Sequence, residues 1–432
     1  MTNYPQFPEG LHLIARWKGS DPVAKEEMRR IFDDTIDGKM DADFATLAPT
    51  DRVHVSASVH MLTLAILHDL YEIDSAGSYK DDPVRYARTN LITSRLIGAD
   101  KVYTVWALYG FTCEQVGQKM MYPDRFPPGS DPDSPLINKE TWRSLKTPDF
   151  NTGVAKVVTD MLRETERLTG MEPLLQISAP YSFAADIYGQ EPLLADVVHD
   201  PGFVNELLDF LADTILSPWI EHFIKEFSNG WIELSDASGS PFFIGPQNCK
   251  NMAIRAMQRM TEGKEWGERL FDCNYRSNHV STVAERDRGS RRRGVSSADA
   301  VAKVGLVELT DLKHTVCPKF IMRLEADQVE VPFYVDQAIQ RSVPLTTGIG
   351  SRQIDANSVG DLAAAKVGIK EVAETFVAAQ KEVAGKVDVP LHRYRAQPWP
   401  SQIYFEDVAA ESQFEMMEII IRTVREQGAF DS

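Results

Sequence analysis

The chain has 432 residues, 46 Lys plus Arg and 63 Asp plus Glu, for a formal net charge of −17. With 43% hydrophobic and 25% charged residues it has the composition of a folded globular protein, which excludes a disordered chain, a collagen-like fibre and a coiled-coil rod. So acidic a chain argues against nucleic acid as the main partner, because phosphate recognition needs a net-positive face.

The N-terminus, MTNYPQFPEG, shows neither a basic start nor an apolar core, so no signal peptide is visible and a cytoplasmic location is expected. Asp21 to Asp37 and Arg52 to Tyr71 read as helices, and residues 1–95 as a helical N-terminal extension of the same unit. The longest apolar run, Met61 to Leu67, falls far short of the roughly 20 residues needed to span a bilayer, so no membrane partner is expected. His54, His60 and His68 lie in the helical stretch from Arg52 to Tyr71, and core or surface roles account for them. From Lys101, KVYTVWALYG reads as a buried strand, and the Pro/Gly/Asp-rich Tyr122 to Leu136 as a long loop. A helix from about Val154 to Thr169 precedes the strand PLLQISAP at 173–180, and helical sequence from about Pro192 to Asn229 precedes GWIELSDA at 230–237. ERLFDC at 268–273, KFIMRLEA at 319–326 and SVPLTTGIG at 342–350 follow, then amphipathic helices over Val359–Ala384 and Glu406–Gln427.

Strand followed by helix, repeated, means parallel strands joined by crossovers. The strands read as nearly continuous apolar runs, as expected where both sheet faces are covered. The fold class is therefore α/β. A TIM (β/α)8 barrel over residues 96–432 with the helical N-terminal extension fits best, and an open doubly wound sheet is the alternative.

In a parallel barrel the chemistry sits at the C-terminal strand ends. Asp236, after Ile232-Glu233-Leu234-Ser235, is placed as a ligand or proton acceptor, or as a turn-bonding Asp. Cys273, beside Asp272 and followed by Asn274, Tyr275 and Arg276, is a candidate thiolate or a small buried residue. Glu325, Asp327 and Glu330 cluster after the next strand. Upstream of it, Glu308, Asp311, His314 and Cys317 recur every third residue, and all four are zinc-ligand types. The metal candidates are thus Cys273, His314, Cys317 and Glu325. The run RDRGSRRRG places five arginines between Arg286 and Arg293, either an anion site or a solvated turn. Four cysteines without a CxxC pair exclude a disulfide scaffold and a zinc knuckle. No GxGxxG, Walker A, GxSxG or HExxH motif is present.

From about Ala87 onward, roughly three quarters of the chain, the sequence resembles the uroporphyrinogen decarboxylase superfamily, which includes corrinoid- and coenzyme M-linked methyltransferases. The resemblance is carried by ISAPYSFAADIYGQEPLLADVVHDPGFVNELLDFLADTI, WIELSDASGSPFFIGPQNCKNM, PLTTGIGSRQI and ESQFEMMEIIIRTVREQGAF. It implies a TIM barrel. The decarboxylase residues themselves are not matched: its arginine-rich motif has no counterpart near Arg16-Trp17-Lys18, its catalytic Asp falls near Trp106 or Ala107, and its Tyr falls at Asp186, with Tyr188 nearby. The thiol-directed methyltransferases hold zinc with His-x-Cys and a later Cys. Here Phe271 replaces the His, Cys273 is kept, and His392 is the nearest later ligand type.

The resemblance then implies a substrate-side methyltransferase of the O-demethylase type. Such an enzyme passes the methyl of a small donor, an aryl methyl ether among the candidates, to the cobalt of a corrinoid on a partner protein. Zinc is a candidate cofactor, and a homodimer is compatible with the reading. The implied catalytic residues are Asp236, Cys273 and Asp186. The implied substrate contacts are Trp106, Tyr109, Tyr181, Phe183, Tyr188, Phe242 and Arg276. A decarboxylase-like lyase and a non-catalytic barrel are the alternatives.

Overall fold

The computed structural model describes residues 3–45, 51–102, 108–274, 305–317, 322–324, 331–355, 360–387 and 402–430. Its strands, in chain order, are β1 (His54–Ala57), β2 (Lys101–Val102), β3 (Met120–Met121), β4 (Gly129–Ser130), β5 (Leu174–Ser178), β6 (Trp231–Ser235), β7 (Leu270–Asn274), β8 (Met322–Leu324), β9 (Leu345–Ile349) and β10 (Gln402–Phe405). They form a five-stranded sheet in the order β2-β1-β10-β9-β8, a three-stranded sheet β5-β6-β7, and a β3–β4 hairpin. Every pairing in the two larger sheets is parallel. The first and last strands of the chain are neighbours, in register from His54 opposite Gln402 to Ala57 opposite Phe405.

Helices fill the crossovers, and Asp-Pro pairs mark several of their starts. Asp82 accepts a hydrogen bond from Arg85 N at 2.8 Å at the head of helix Pro83–Ile97, and Asp200 does the same for Phe203 N at 3.2 Å at the head of Pro201–Leu211. The capping oxygen satisfies an orphan helix N–H, and Pro at the first helical position lacks one to satisfy. Helix Pro83–Ile97 stops at Gly98, whose φ of +90° suits a residue without a Cβ; a Cβ there would also meet Phe7 at 2.8 Å.

Several expectations are corrected. Arg52–Tyr71 is not one helix: residues 54–57 are a strand at the heart of the five-stranded sheet, and the helix is His60–Tyr71. Within 1–95, the chain therefore contributes to the sheet as well as supplying helices. The strand from Lys101 is described only to Val102, and Leu108–Gln115 is a helix. The helix expected over Glu406–Gln427 begins only at Phe414; 402–405 is a strand, and 406–413 is an irregular connection between the two. The stretch 190–226 is three helices with a π-turn at Ala212–Leu216. The loop at 122–136 carries β4, and β3 precedes it.

The largest correction concerns the strands' two faces. One face is apolar: Val55, Leu175, Ile177, Ile232, Leu234, Ile403 and Phe405 are buried. Gln380 of helix Leu362–Lys386 marks that face as the helix side, since it donates to Thr347 Oγ1 at 2.7 Å and to Gln402 O at 2.8 Å. The alternate residues His54, Ser56, Ser178, Glu233, Ser235, Thr346 and Gln402 are polar yet equally buried. They fall into register rows: His54, Gln402 and Thr346 on one sheet, Gln176 with Glu233 and Ser178 with Ser235 on the other. Gln176 Nε2 donates to Glu233 Oε2 at 2.8 Å. The strands are thus not continuously apolar, and the face turned from the helices is a buried polar surface. Desolvating so many polar groups costs stability unless they bond one another or a ligand.

Among the described residues, no helix is long and apolar enough to cross a membrane.

Candidate active site

β5 and β6 deliver polar loops to the same end of their sheet. Ala179 N donates to Ser235 O at 2.8 Å, which extends the ladder one step past both strands. Pro180 then starts helix Pro180–Tyr188, and Ser240 precedes the short helix Pro241–Ile244. Between β6 and that short helix lies the turn Asp236-Ala237-Ser238-Gly239-Ser240.

Asp236 is fully buried at the centre of this end. Its Oδ1 accepts three hydrogen bonds, from Ser182 Oγ at 2.7 Å, Ser182 N at 3.0 Å and Gly239 N at 3.2 Å. Ser182 Oγ in turn accepts from Ser238 N at 3.1 Å. The other carboxylate oxygen, Oδ2, is buried and has no hydrogen-bond partner. A Cβ on Gly239 would stand 2.5 Å from Oδ2, so only glycine leaves room for the carboxylate in this orientation. Burial pushes the Asp236 carboxyl up to about 6, against the opposing effect of its three donors.

Three more buried oxygens near the same strand ends lack partners: Ser178 Oγ at the end of β5, Tyr181 Oη in the next helix and Ser240 Oγ in the turn. The Tyr181 hydroxyl is raised in pKa by burial and then by the Asp236 charge. Four buried oxygens without protein partners thus gather around the ends of β5 and β6, groups left for a ligand or a water to satisfy. Asp236 is therefore both things the sequence allows, a turn-bonding residue through Oδ1 and a ligand-facing one through Oδ2.

Asp186 lies one turn further along the Tyr181–Ser182 helix. Its Oδ2 is buried without a hydrogen-bond partner, and burial pushes its carboxyl up to about 7, with a hydrogen bond to Cys113 opposing. The Cys113 thiol, in helix Leu108–Gln115, is raised by burial and by the Asp186 charge. A carboxyl in this range is protonated for part of the time at neutral pH and suits acid–base work.

The remaining candidates scatter. Tyr181 and Phe183 are fully buried; Tyr188 is buried and donates to Asp196 Oδ2 at 2.7 Å, which commits its hydroxyl to the following helix. Phe242 is 59% exposed and Phe243 54%, so both rings lie on the surface just beyond the Asp236 turn; their centroids are 5.1 Å apart in a T-shaped pair. Cys273 lies in β7 in register with Leu234, and its side chain lies outside the described residues. Tyr109 sits in the first turn of its helix, with its side chain likewise outside them. Trp106, Arg276, Glu325, His392 and the arginine run 286–293 lie outside the described residues.

Of the possible zinc ligands at 308–317, Glu308 is paired with Lys250 and Asp311 with Arg341. Cys317 is fully buried, and burial, then Arg341, lowers His314 to about 4, which keeps its imidazole neutral. Among the described residues no three His, Cys, Asp or Glu side chains group as a metal site. Cys273 and Glu325, the other two metal candidates, have side chains outside the described residues.

Ser182, Gly239, Ser178 and Ser240 were not foreseen as site residues. The available signal was a pair of small polar residues, Ser178 and Ser182, inside an otherwise apolar run, and a Gly three places after Asp236.

The sequence matches no family model and no curated protein. Among solved structures, a methyltransferase from Methanosarcina mazei superposes with a TM-score of 0.58 at 14% sequence identity, covering 89% of this chain and 97% of that one. The likeness, at that identity, shows a shared fold.

Proposed function

We propose that the chain is a methyltransferase moving a methyl group from a small donor, an aryl methyl ether among the candidates, to the cobalt of a corrinoid carried by a partner protein. The observation that carries this reading is the buried Asp236 carboxyl, fixed through Oδ1 and open at Oδ2, at a parallel-strand end. The fold shared with a methyltransferase supports it. So does the sequence resemblance to the corrinoid-linked branch of the uroporphyrinogen decarboxylase superfamily.

On this reading the two parallel sheets close into a (β/α)8 barrel. Among the described residues, eight parallel strands, with the first paired to the last and the others in chain order within each arc, support that closure. The buried polar face then lines the barrel interior, with Asp236 at its C-terminal mouth.

When bound, the reduced corrinoid supplies the nucleophile for the methyl carbon. The chain's own residues do the rest. Ser178, Tyr181 and Ser240 orient the donor's polar group, and enclosure of the site excludes water. Asp236 gives its Oδ2 proton to the departing heteroatom, so that no bare anion is released into a low-dielectric pocket. Asp186, on the helix that carries Ser182, is a second acid; Cys273 is not added to the set, because its register partner Leu234 belongs to the apolar row of β6. Phe242 and Phe243, exposed just beyond the Asp236 turn, would offer an apolar rim to the partner protein.

The test is to incubate the protein with chemically reduced cobalamin and a panel of small O-methyl and N-methyl compounds, and to follow methylcobalamin by its absorbance. Methylcobalamin formation with release of the demethylated product is expected. Its absence across the panel, with folded protein and with candidate corrinoid proteins added, overturns the reading.

A further inference from the structure

The contacts of the Asp236 carboxylate are one-sided. Oδ1 takes all three hydrogen bonds and Oδ2 takes none, though both oxygens are buried. The asymmetry has a cause in Ser182. A hydroxyl has one hydrogen and two lone pairs. Ser238 N–H, at 3.1 Å, occupies a lone pair of Ser182 Oγ, and the hydroxyl hydrogen goes to Asp236 Oδ1 at 2.7 Å. The Ser182 N–H points at the same oxygen, and Gly239 N–H reaches it from the Asp236 turn. The turn that holds Asp236 and a helix residue 54 positions before it thus grip one oxygen. Gly239, lacking a Cβ, leaves the space that Oδ2 fills.

We propose that Ser182 is a positioning residue that, with the backbone N–H of Gly239, fixes Asp236 so that Oδ2 alone exchanges a proton with the bound ligand. The proposal rests on the methyl-transfer reading for what the proton is used for, and on the geometry alone for where it sits. In the step, the Oδ2–H bond breaks and its electron pair stays on the carboxylate. The proton joins the leaving heteroatom, which has kept the pair from its bond to the methyl carbon. The negative charge left on Asp236 spreads to Oδ1, where three donors already meet it, and solvent later restores the proton. Tyr181 is the titratable neighbour that senses this charge. Ser182 itself touches no ligand.

The donors to Oδ1 favour the ionised carboxylate, so removing one raises the Asp236 midpoint. A hydrogen bond to a charged group is worth about 1.5–3 kcal/mol, which corresponds to a shift of about one to two pH units. The experiment is a carboxyl-stretch infrared titration of the whole protein, with Asp236→Asn used to assign the band. Ser182→Ala is expected to raise the midpoint by about one pH unit or more, and Ser182→Thr, which keeps the hydroxyl, to titrate like the parent. A folded Ser182→Ala with the parental midpoint overturns the proposal. Should Ser182→Ala not fold, Ser182→Cys, a weaker donor, is expected to shift the midpoint in the same direction, and an unchanged midpoint there overturns it equally.

The infrared readout needs no turnover. A shifted midpoint without methyl transfer in any variant sinks the functional reading and leaves the positioning role standing. Methyl transfer with an unshifted midpoint sinks the positioning role alone. Where turnover is found, Ser182→Ala is expected to lower kcat more than it raises KM, with its pH profile displaced by the same amount as the infrared midpoint.

Discussion

Ser182 Oγ lies 2.7 Å from Asp236 Oδ1, and this one hydrogen bond joins the helix after β5 to the turn after β6. Both partners are buried, so water does not compete for either end. The bond converts a flexible strand-end carboxylate into a fixed one with a single unsatisfied oxygen.

Asp236→Asn is expected to keep the fold and to lower methyl transfer by about a hundredfold or more, the usual weight of a general acid. Asn retains the shape and an acceptor for Ser182 and Gly239, but it has no acidic proton. Methylcobalamin formation, with thermal unfolding as the control for folding, measures both. Near-parental turnover would remove Asp236 from the chemistry.

Stability should fall with rising pH through the range where the two buried acids ionise. Asp236 and Asp186 are raised in the folded state from 3.8 to about 6 and about 7. A raised folded pKa means the folded protein binds more protons than the unfolded chain. The stabilisation is complete below about pH 4 and is lost as pH rises through about 6 to 7. Asp186→Asn keeps a neutral group at that site, so its stability relative to the parent should improve from about pH 5 to about pH 8. Urea unfolding at the two ends of that range checks the sign, and a constant difference would place Asp186 in ordinary carboxylate territory.

Arg52 and Asp100 form a two-pronged ion pair, with Nη1–Oδ2 at 3.0 Å and Nη2–Oδ1 at 2.7 Å, and Asp100 Oδ2 also accepts from Val55 N at 2.9 Å. The pair ties the head of β1 to the entry of β2 and is mostly buried, at 17% and 9% exposure. Arg52→Ala leaves the Asp100 charge without its main partner and is expected to cost about 2–4 kcal/mol of unfolding free energy. Denaturant titration measures it, and a loss under about 0.5 kcal/mol would rank it with ordinary surface pairs.

The exposed Phe242 and Phe243 separate folding from docking. Replacing both by Ala removes little buried area, so stability should stay within about 0.5 kcal/mol. On the proposed reading, kcat/KM for a corrinoid protein should fall about tenfold or more, while the reaction with free cobalamin changes less. Equal effects on the two acceptors would argue against a docking rim.

The alternation of strand and helix from β5 to β9 and the placement of Asp236 at a strand end were legible from the sequence. β5, β6, β8 and β9 fall within the segments where strand composition and turn residues place them, and β7 overruns its segment by one residue, because those signals are local. β1 and β10 were not legible. His54-Val55-Ser56-Ala57 and Gln402-Ile403-Tyr404-Phe405 alternate polar and apolar residues over four positions only, too short a stretch to separate a strand from the helical sequence beside it, and pairing across nearly the whole chain secures them as strands. The polar inner face escaped for the same reason. A single strand does not reveal that Gln176 meets Glu233, or that Thr347 faces Gln380 of a distant helix. The sequence by itself determined an acidic α/β chain with a carboxylate at the end of a strand. Only the tertiary structure decided which of that carboxylate's oxygens is held and which is open, because Ser182, whose N–H and hydroxyl both reach Oδ1, comes from a segment 54 residues away.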